Sequence, residues 1–124
     1  MIGLFYAAAG GAIGAASRYL IGVWMLRLLG SGFPWSTLLV NITGAFLMGL
    51  LIEMATLRMS LSQEMRIFLI TGILGGFTTF SAFALDFAVL WQRQAFFAAC
   101  AYAGTSVVMS IGALFLGLKL ARVM

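Results

Sequence analysis

Four long apolar stretches, at about residues 3–29, 35–55, 67–91 and 95–120, are divided by short polar breaks, and this pattern constrains the chain more than any other feature. Each is close to the roughly 20 apolar residues that carry one helix through a bilayer. Hydrocarbon offers a backbone no hydrogen bonds, so a spanning segment must satisfy its own, as a helix does. The pattern therefore predicts an all-α integral membrane protein with four transmembrane helices in one domain, residues 1–124. Of the breaks, 30–34, 56–66 and 92–94, only the middle one has room for loop structure. The triplet Ala7-Ala8-Ala9 looks like a signal-peptide cleavage site, but no basic residue precedes the apolar run. The first stretch is read as a retained span.

Composition closes off most chemistry. The chain is 64% apolar and 8% charged, where a soluble domain carries about 25% charged residues, and its mean hydropathy is +1.14. Its 124 residues leave no room for a soluble catalytic domain beside four spans. There is no His, and the one Cys, Cys100, lies in an apolar run. Zinc sites, internal disulfides and Cys/His nucleophile pairs are thereby excluded. Acidic groups are limited to Glu53, Glu64 and Asp86, which are scattered. No enzyme is expected. The seven Lys and Arg residues stand singly, so no nucleic-acid partner is expected either.

Orientation is nearly balanced. Four spans place both termini and the second connection on one side, with Arg58, Arg66, Lys119 and Arg122, against Arg27 and Arg93 opposite. Four against two is a weak positive-inside signal and permits insertion in both orientations. Trp24, Trp35 and Trp91 cluster near the side opposite the termini, as an interfacial belt would.

Several residues do not suit a passive anchor. Ala8, Ala12 and Ala16 recur every fourth residue, and Gly10 and Gly14 form a G-x-x-x-G, a pattern that lets helices approach closely and favours an oligomer. Arg18 falls deep in the first span. Either the span boundary is displaced and Arg18 sits at an interface, or it is a cation at the mouth of an anion pathway. In the second span Thr37 and Asn41 are one turn apart, with Gly44 on the same face. The Asn amide offers two donors, to a neighbouring helix or to a dehydrated anion. Tyr102, Ser106 and Ser110 repeat at i, i+4 and i+8 along the fourth span. Those hydroxyls form a polar ladder, or bond back to their own helix.

The third span says most. Gly72, Gly75 and Gly76 are followed by Thr78, Thr79 and Ser81 at mid-membrane, which predicts a break in the helix. Broken backbone at that depth is tolerated only inside protein or beside a water-filled cavity, where freed carbonyls and N–H groups can bind ions. The carbonyls of Gly75 and Thr78 flank the break and are expected to lose their helical partners. A small hard cation or a water would satisfy them. Phe80 and Phe83 follow one turn apart: either core residues, or an aromatic pair whose electropositive ring edges contact an anion.

The stretch Gly75-Gly76-Phe77-Thr78-Thr79-Phe80-Ser81-Ala82-Phe83 resembles the signature of the Fluc-type fluoride channels of microbial membranes. Leu39-Val40-Asn41-Ile42-Thr43-Gly44 and Gly10-Gly11-Ala12-Ile13-Gly14-Ala15-Ala16-Ser17-Arg18-Tyr19 are similar to that family too, and Tyr102, Ser106 and Ser110 fall at its fourth-span polar positions. Departures are Ser36, Ala82 and Asp86, where Gly, Thr and Glu are frequent. The resemblance implies an antiparallel, dual-topology homodimer with two pores in the cell (inner) membrane. It implies a structural sodium ion held at the dimer interface by the Gly75 and Thr78 backbone carbonyls. The fluoride pathway it implies runs along Asn41, Phe80, Phe83, Tyr102, Ser106 and Ser110, with Thr37 and Ser81, and has Arg18 at its vestibule. The expected function is passive export of fluoride that entered as hydrogen fluoride. The rival expectation is a small dual-topology proton-coupled drug or metabolite antiporter, which would want an acidic residue deep in a substrate-facing span. A structural assembly subunit would leave the broken span and the polar ladders without a purpose.

Overall fold

The computed structural model describes residues 1–58 and 60–124. Its helices are α1 (Ile2–Leu29), α2 (Trp35–Leu57), α3 (residues 63–77), α4 (Phe80–Gln92) and α5 (Phe96–Val123). Helices α3 and α4 together make the third span, Gln63–Gln92, so four spans are long and apolar enough to cross a membrane. The chain is a multi-pass, all-helical membrane protein.

The helix ends follow local chemistry. Gly30 stops α1 with φ 77°, a left-handed conformation that costs glycine nothing, and its N–H closes on the Leu26 carbonyl at 2.9 Å. The third span starts at Gln63, earlier than its apolar run, because Ser62 caps it. The Ser62 hydroxyl accepts the Met65 N–H at 3.2 Å, and Glu64 stands in the positive first turn. Over Ile67–Leu74 the backbone widens into π-type turns, which the sequence pattern did not predict.

Packing divides the molecule into two glycine-mediated pairs. On α1, a Cβ at Gly10 would lie 2.8 Å from the Gly72 Cα, and one at Gly14 would lie 2.8 Å from the Phe77 N. From the other side, a Cβ at Gly76 would come within 2.8 Å of the Gly11 carbonyl. Helices α2 and α5 meet in the same way: a Cβ at Gly49 would strike the Leu114 carbonyl, and one at Gly117 the Phe46 carbonyl. Such contact depth comes from absent side chains, the usual device where lipid removes the hydrophobic drive between helices.

Two ties hold the ends together. At one end Arg122 pairs with Glu53 at 3.4 Å, joining the last turns of α2 and α5. At the other, Arg93 donates to the Ser31 carbonyl at 3.4 Å, joining the two short connections. Trp35, Trp91, Phe33 and Phe96 gather at this second end, with Phe33–Trp35 centroids 4.7 Å apart and Trp91–Phe96 centroids 4.6 Å apart. Large apolar side chains such as Phe97 and Val108 point outward, as a surface wetted by lipid allows.

Candidate functional site

The break between α3 and α4 is the centre of the site. Thr78 and Thr79 are extended, with ψ 157° and φ −154°, between two helical residues. Thr79 starts the new helix: its hydroxyl accepts the Ala82 N–H at 3.2 Å, as an N-cap does. Asn41 on α2 clasps the same residue. Its Oδ1 accepts the Thr79 N–H at 2.8 Å, and its Nδ2 donates to the Thr79 carbonyl at 3.0 Å. An amide side chain thus replaces the helical partners that the extended residue gives up. One N–H of the Asn41 amide remains beyond this clasp.

These bonds release the carbonyls on the near side. In an unbroken helix the Thr79 N–H would close on Gly75 and the Ala82 N–H on Thr78. Both donors are engaged elsewhere, by Asn41 Oδ1 and Thr79 Oγ1. The Gly75 and Thr78 carbonyl oxygens are left without their helical donors. Such oxygens are hard, preoriented ligands that fit a small cation. One protomer supplies two of them, fewer than a cation's shell requires, so the donor set fits sodium only when a second copy contributes.

Arg18 reaches the residues just before the break. Its Nε donates to the Gly76 carbonyl at 3.2 Å from the middle of α1. A cation there is favourable because Gly76 belongs to the negative C-terminal turn of α3. Helix α1 runs unbroken through Arg18, from Ile2 to Leu29.

Two clefts bear on the site, and one of them opens on the break. The larger, about 420 Å³, is lined by Asn41, Thr78, Thr79, Phe80, Phe83, Ser106 and Ser110, with Gly44, Met48 and apolar residues of α5. The Phe80 and Phe83 rings stand 5.4 Å apart and tilted by 50°. The Ser106 and Ser110 hydroxyls are buried and have no hydrogen-bond partner among the described residues. Thr37 lines a second cleft of about 310 Å³ near the aromatic end, together with Ser36, Asp86 and Arg93. Tyr102, fully buried, separates the two. Its ring lies 5.5 Å from Phe33, on the second cleft, and 5.2 Å from Phe83, on the first.

The structure therefore brings together Asn41, Phe80, Phe83, Ser106 and Ser110, and sets others apart. The Tyr102 hydroxyl does not continue the ladder of the two serines; it donates to Asp86 Oδ2 at 3.1 Å. Ser81 lies outside the larger cleft, exposed, with its oxygen 3.3 Å from the Thr79 hydroxyl. Three features escaped the sequence reading: the Thr79 clasp, the Tyr102–Asp86 bond and the Arg18–Gly76 contact. Only the first left a signal, an Asn on one apolar span and a Thr-Thr step on another.

Comparison with known proteins bears on this arrangement. The family described as "CrcB-like protein, Camphor Resistance (CrcB)" matches residues 5–118. The chain is 54% identical over 122 residues to the "Fluoride-specific ion channel FluC" of Agrobacterium fabrum, covering 98% of each chain. It is 58% identical to the protein of that name from Chelativorans sp., over 91% of this chain and 90% of the relative. It is 53% identical to that of Rhizobium meliloti, over 94% and 93%. With a match this long and relatives this similar end to end, the chain belongs to the CrcB-like family.

Proposed function

We propose that this protein is a fluoride-selective channel that lets cytoplasmic fluoride leave down its electrochemical gradient, working as an antiparallel homodimer with sodium at its centre. The observation that carries the reading is the larger cleft. It places a phenylalanine pair, the remaining Asn41 N–H and two unpartnered, buried hydroxyls beside the N-terminus of α4 at mid-membrane. The relatives' shared name, fluoride-specific ion channel, supports the choice of ion.

Fluoride is small and strongly hydrated, so a path must replace the water it sheds. Ser106, Ser110 and Asn41 supply directed donors, and the positive end of the α4 dipole favours an anion. Phe80 and Phe83 present ring edges with partial positive charge, enough to attract the ion without trapping it. Where the second cleft continues the route, Tyr102 is the partition to be crossed, and Thr37 and Ser36 offer hydroxyls beyond it. Sodium, held by the Gly75 and Thr78 carbonyls of both copies, supplies a fixed positive charge near the two paths. Arg18, engaged with Gly76, adds positive charge beside it.

An antiporter is disfavoured by the same cleft, because none of its lining residues is acidic. Of the three carboxylates, Asp86 accepts from Tyr102, Glu53 pairs with Arg122, and Glu64 stands in the first turn of α3.

The test is fluoride efflux from liposomes containing only this protein, with potassium and valinomycin to clamp the voltage. Rapid efflux without a proton gradient, and far slower chloride efflux, is expected. Efflux that requires a proton gradient would establish the antiporter instead, and no efflux would leave a packing role.

A further inference from the structure

We infer that Gly44 is a positioning residue for the break: its missing side chain is the notch that seats the Thr78 methyl, and that fit sets where the freed carbonyls stand. The inference rests on the proposed channel only for its readout; the fit itself is a matter of packing. Gly44 is buried on α2, three residues after Asn41 and on the same face. The Thr78 hydroxyl donates to the Leu74 carbonyl at 3.0 Å, which fixes the side-chain rotamer and turns the methyl toward α2. A Cβ built at Gly44 would overlap that methyl, while the next atoms, Phe77 Cδ2 and Thr78 Cβ, would lie at ordinary contact distances of 3.4 and 3.7 Å. The conflict is thus with one methyl group.

This differs from the packing glycines. Gly10, Gly14, Gly49 and Gly117 face the backbone of a neighbouring helix, so a methyl there would separate whole helices. At Gly104 and Gly112 nothing lies within 4 Å. Gly44 faces the side chain of a break residue. Because Thr79 is tied to Asn41 on the same helix by two hydrogen bonds, a push on Thr78 cannot be relieved by sliding Thr79 away. The displacement falls on the Thr78 peptide, whose carbonyl is one of the two freed oxygens. Helix α2 therefore acts as a template: Asn41 holds the polar side of the break, and Gly44 receives its apolar side.

A size-swap cycle tests this. Gly44→Ala is made alone and together with Thr78→Ser, which removes the methyl but keeps the hydroxyl that bonds Leu74. The variants are purified, checked as monodisperse oligomers, and assayed for fluoride efflux across a sodium series. With Thr78 present, Gly44→Ala is expected to slow efflux at least about tenfold and to raise the sodium needed for half-maximal efflux, since sub-ångström misplacement of a site is costly. In the Thr78→Ser background the same change is expected to cost less than about twofold, the coupling expected of residues in contact. A role in stability alone would lower the yield or the melting temperature without moving the sodium midpoint. Unchanged efflux and sodium dependence in Gly44→Ala, or an equal loss in both backgrounds, would overturn the assignment. If Gly44→Ala alone does not fold, recovery of a folded, conducting protein in the double variant supports the fit, and failure to recover overturns it. If wild-type efflux ignores sodium, the cation reading falls, and the rates in the two backgrounds still decide the role of Gly44.

Discussion

Asn41 carries two demands on one amide. Its Oδ1 and one N–H are spent on the Thr79 backbone, and the other N–H is the donor that the proposed function assigns to fluoride. Asn41→Asp separates these demands. An Asp oxygen would still accept the Thr79 N–H, but its second oxygen would face the Thr79 carbonyl, lone pair against lone pair. The variant also puts negative charge on the proposed anion route. Fluoride efflux is expected to fall at least about a hundredfold, as when a single preorganised donor to an anion is removed. Efflux from liposomes, with dimer formation checked by size-exclusion chromatography, measures this; wild-type efflux in a folded variant would take Asn41 off the path. The sequence showed that Asn41 was unusual, because an amide in an apolar span needs a partner. It could not show which partner, because that depended on where α4 begins.

At the scale of elements, the broken span is held by its neighbours as well as by its own capping bonds. Helix α1 reaches it through Arg18 and three glycine contacts, and α2 through Asn41 and the Gly44 notch. Away from the cleft, α2 and α5 meet backbone to backbone at Gly49 and Gly117, and these contacts are expected to respond as packing. Gly117→Ala would drive a methyl into the Phe46 carbonyl, and overpacking of this kind costs about 1–3 kcal/mol. A lower melting temperature in detergent is the expected readout, with efflux per folded protein unchanged. The exposed Arg122–Glu53 pair across the same helices stabilises far less, since Arg122 is 62% exposed and its charge is screened. A loss in efflux larger than the loss in folded protein would make the Gly117–Phe46 contact part of the path. The small-residue pattern Gly10-x-x-x-Gly14 was legible as a close-packing face, but its partner, α3, was not.

For the whole molecule, the distribution of charge governs assembly. The Arg122–Glu53 tie and the Arg93–Ser31 contact define two ends, with Arg58, Arg66, Lys119 and Arg122 at one and Arg27 and Arg93 at the other. So small a bias is expected to let copies insert both ways, which an antiparallel dimer needs. Cysteine labelling at a terminus, in a Cys100→Ser background, is expected to find that end on both faces of the membrane. Moving two or three basic residues to one end is expected to fix a single orientation. Each fixed form would then be inactive alone and active when co-expressed with its opposite. Full activity from one fixed orientation would rule out the antiparallel arrangement.

The sequence by itself determined the solvent, the four spans and the broken third helix. Those follow from local rules: the length of an apolar run, and a Gly-Gly-Phe-Thr-Thr step that no regular helix favours. Which side chains share a cavity was decided only by tertiary structure. Thr37 and Asn41 are one turn apart in sequence yet line different clefts, and Tyr102 leaves the serine ladder for Asp86. In water, apolar periodicity reveals the face of a helix that turns inward. In a bilayer, both the lipid-facing and the protein-facing sides are apolar, so the pattern loses that information. The inward face is then chosen by close fits, a Gly against a carbonyl or a methyl in a notch, that exist only once the helices have met.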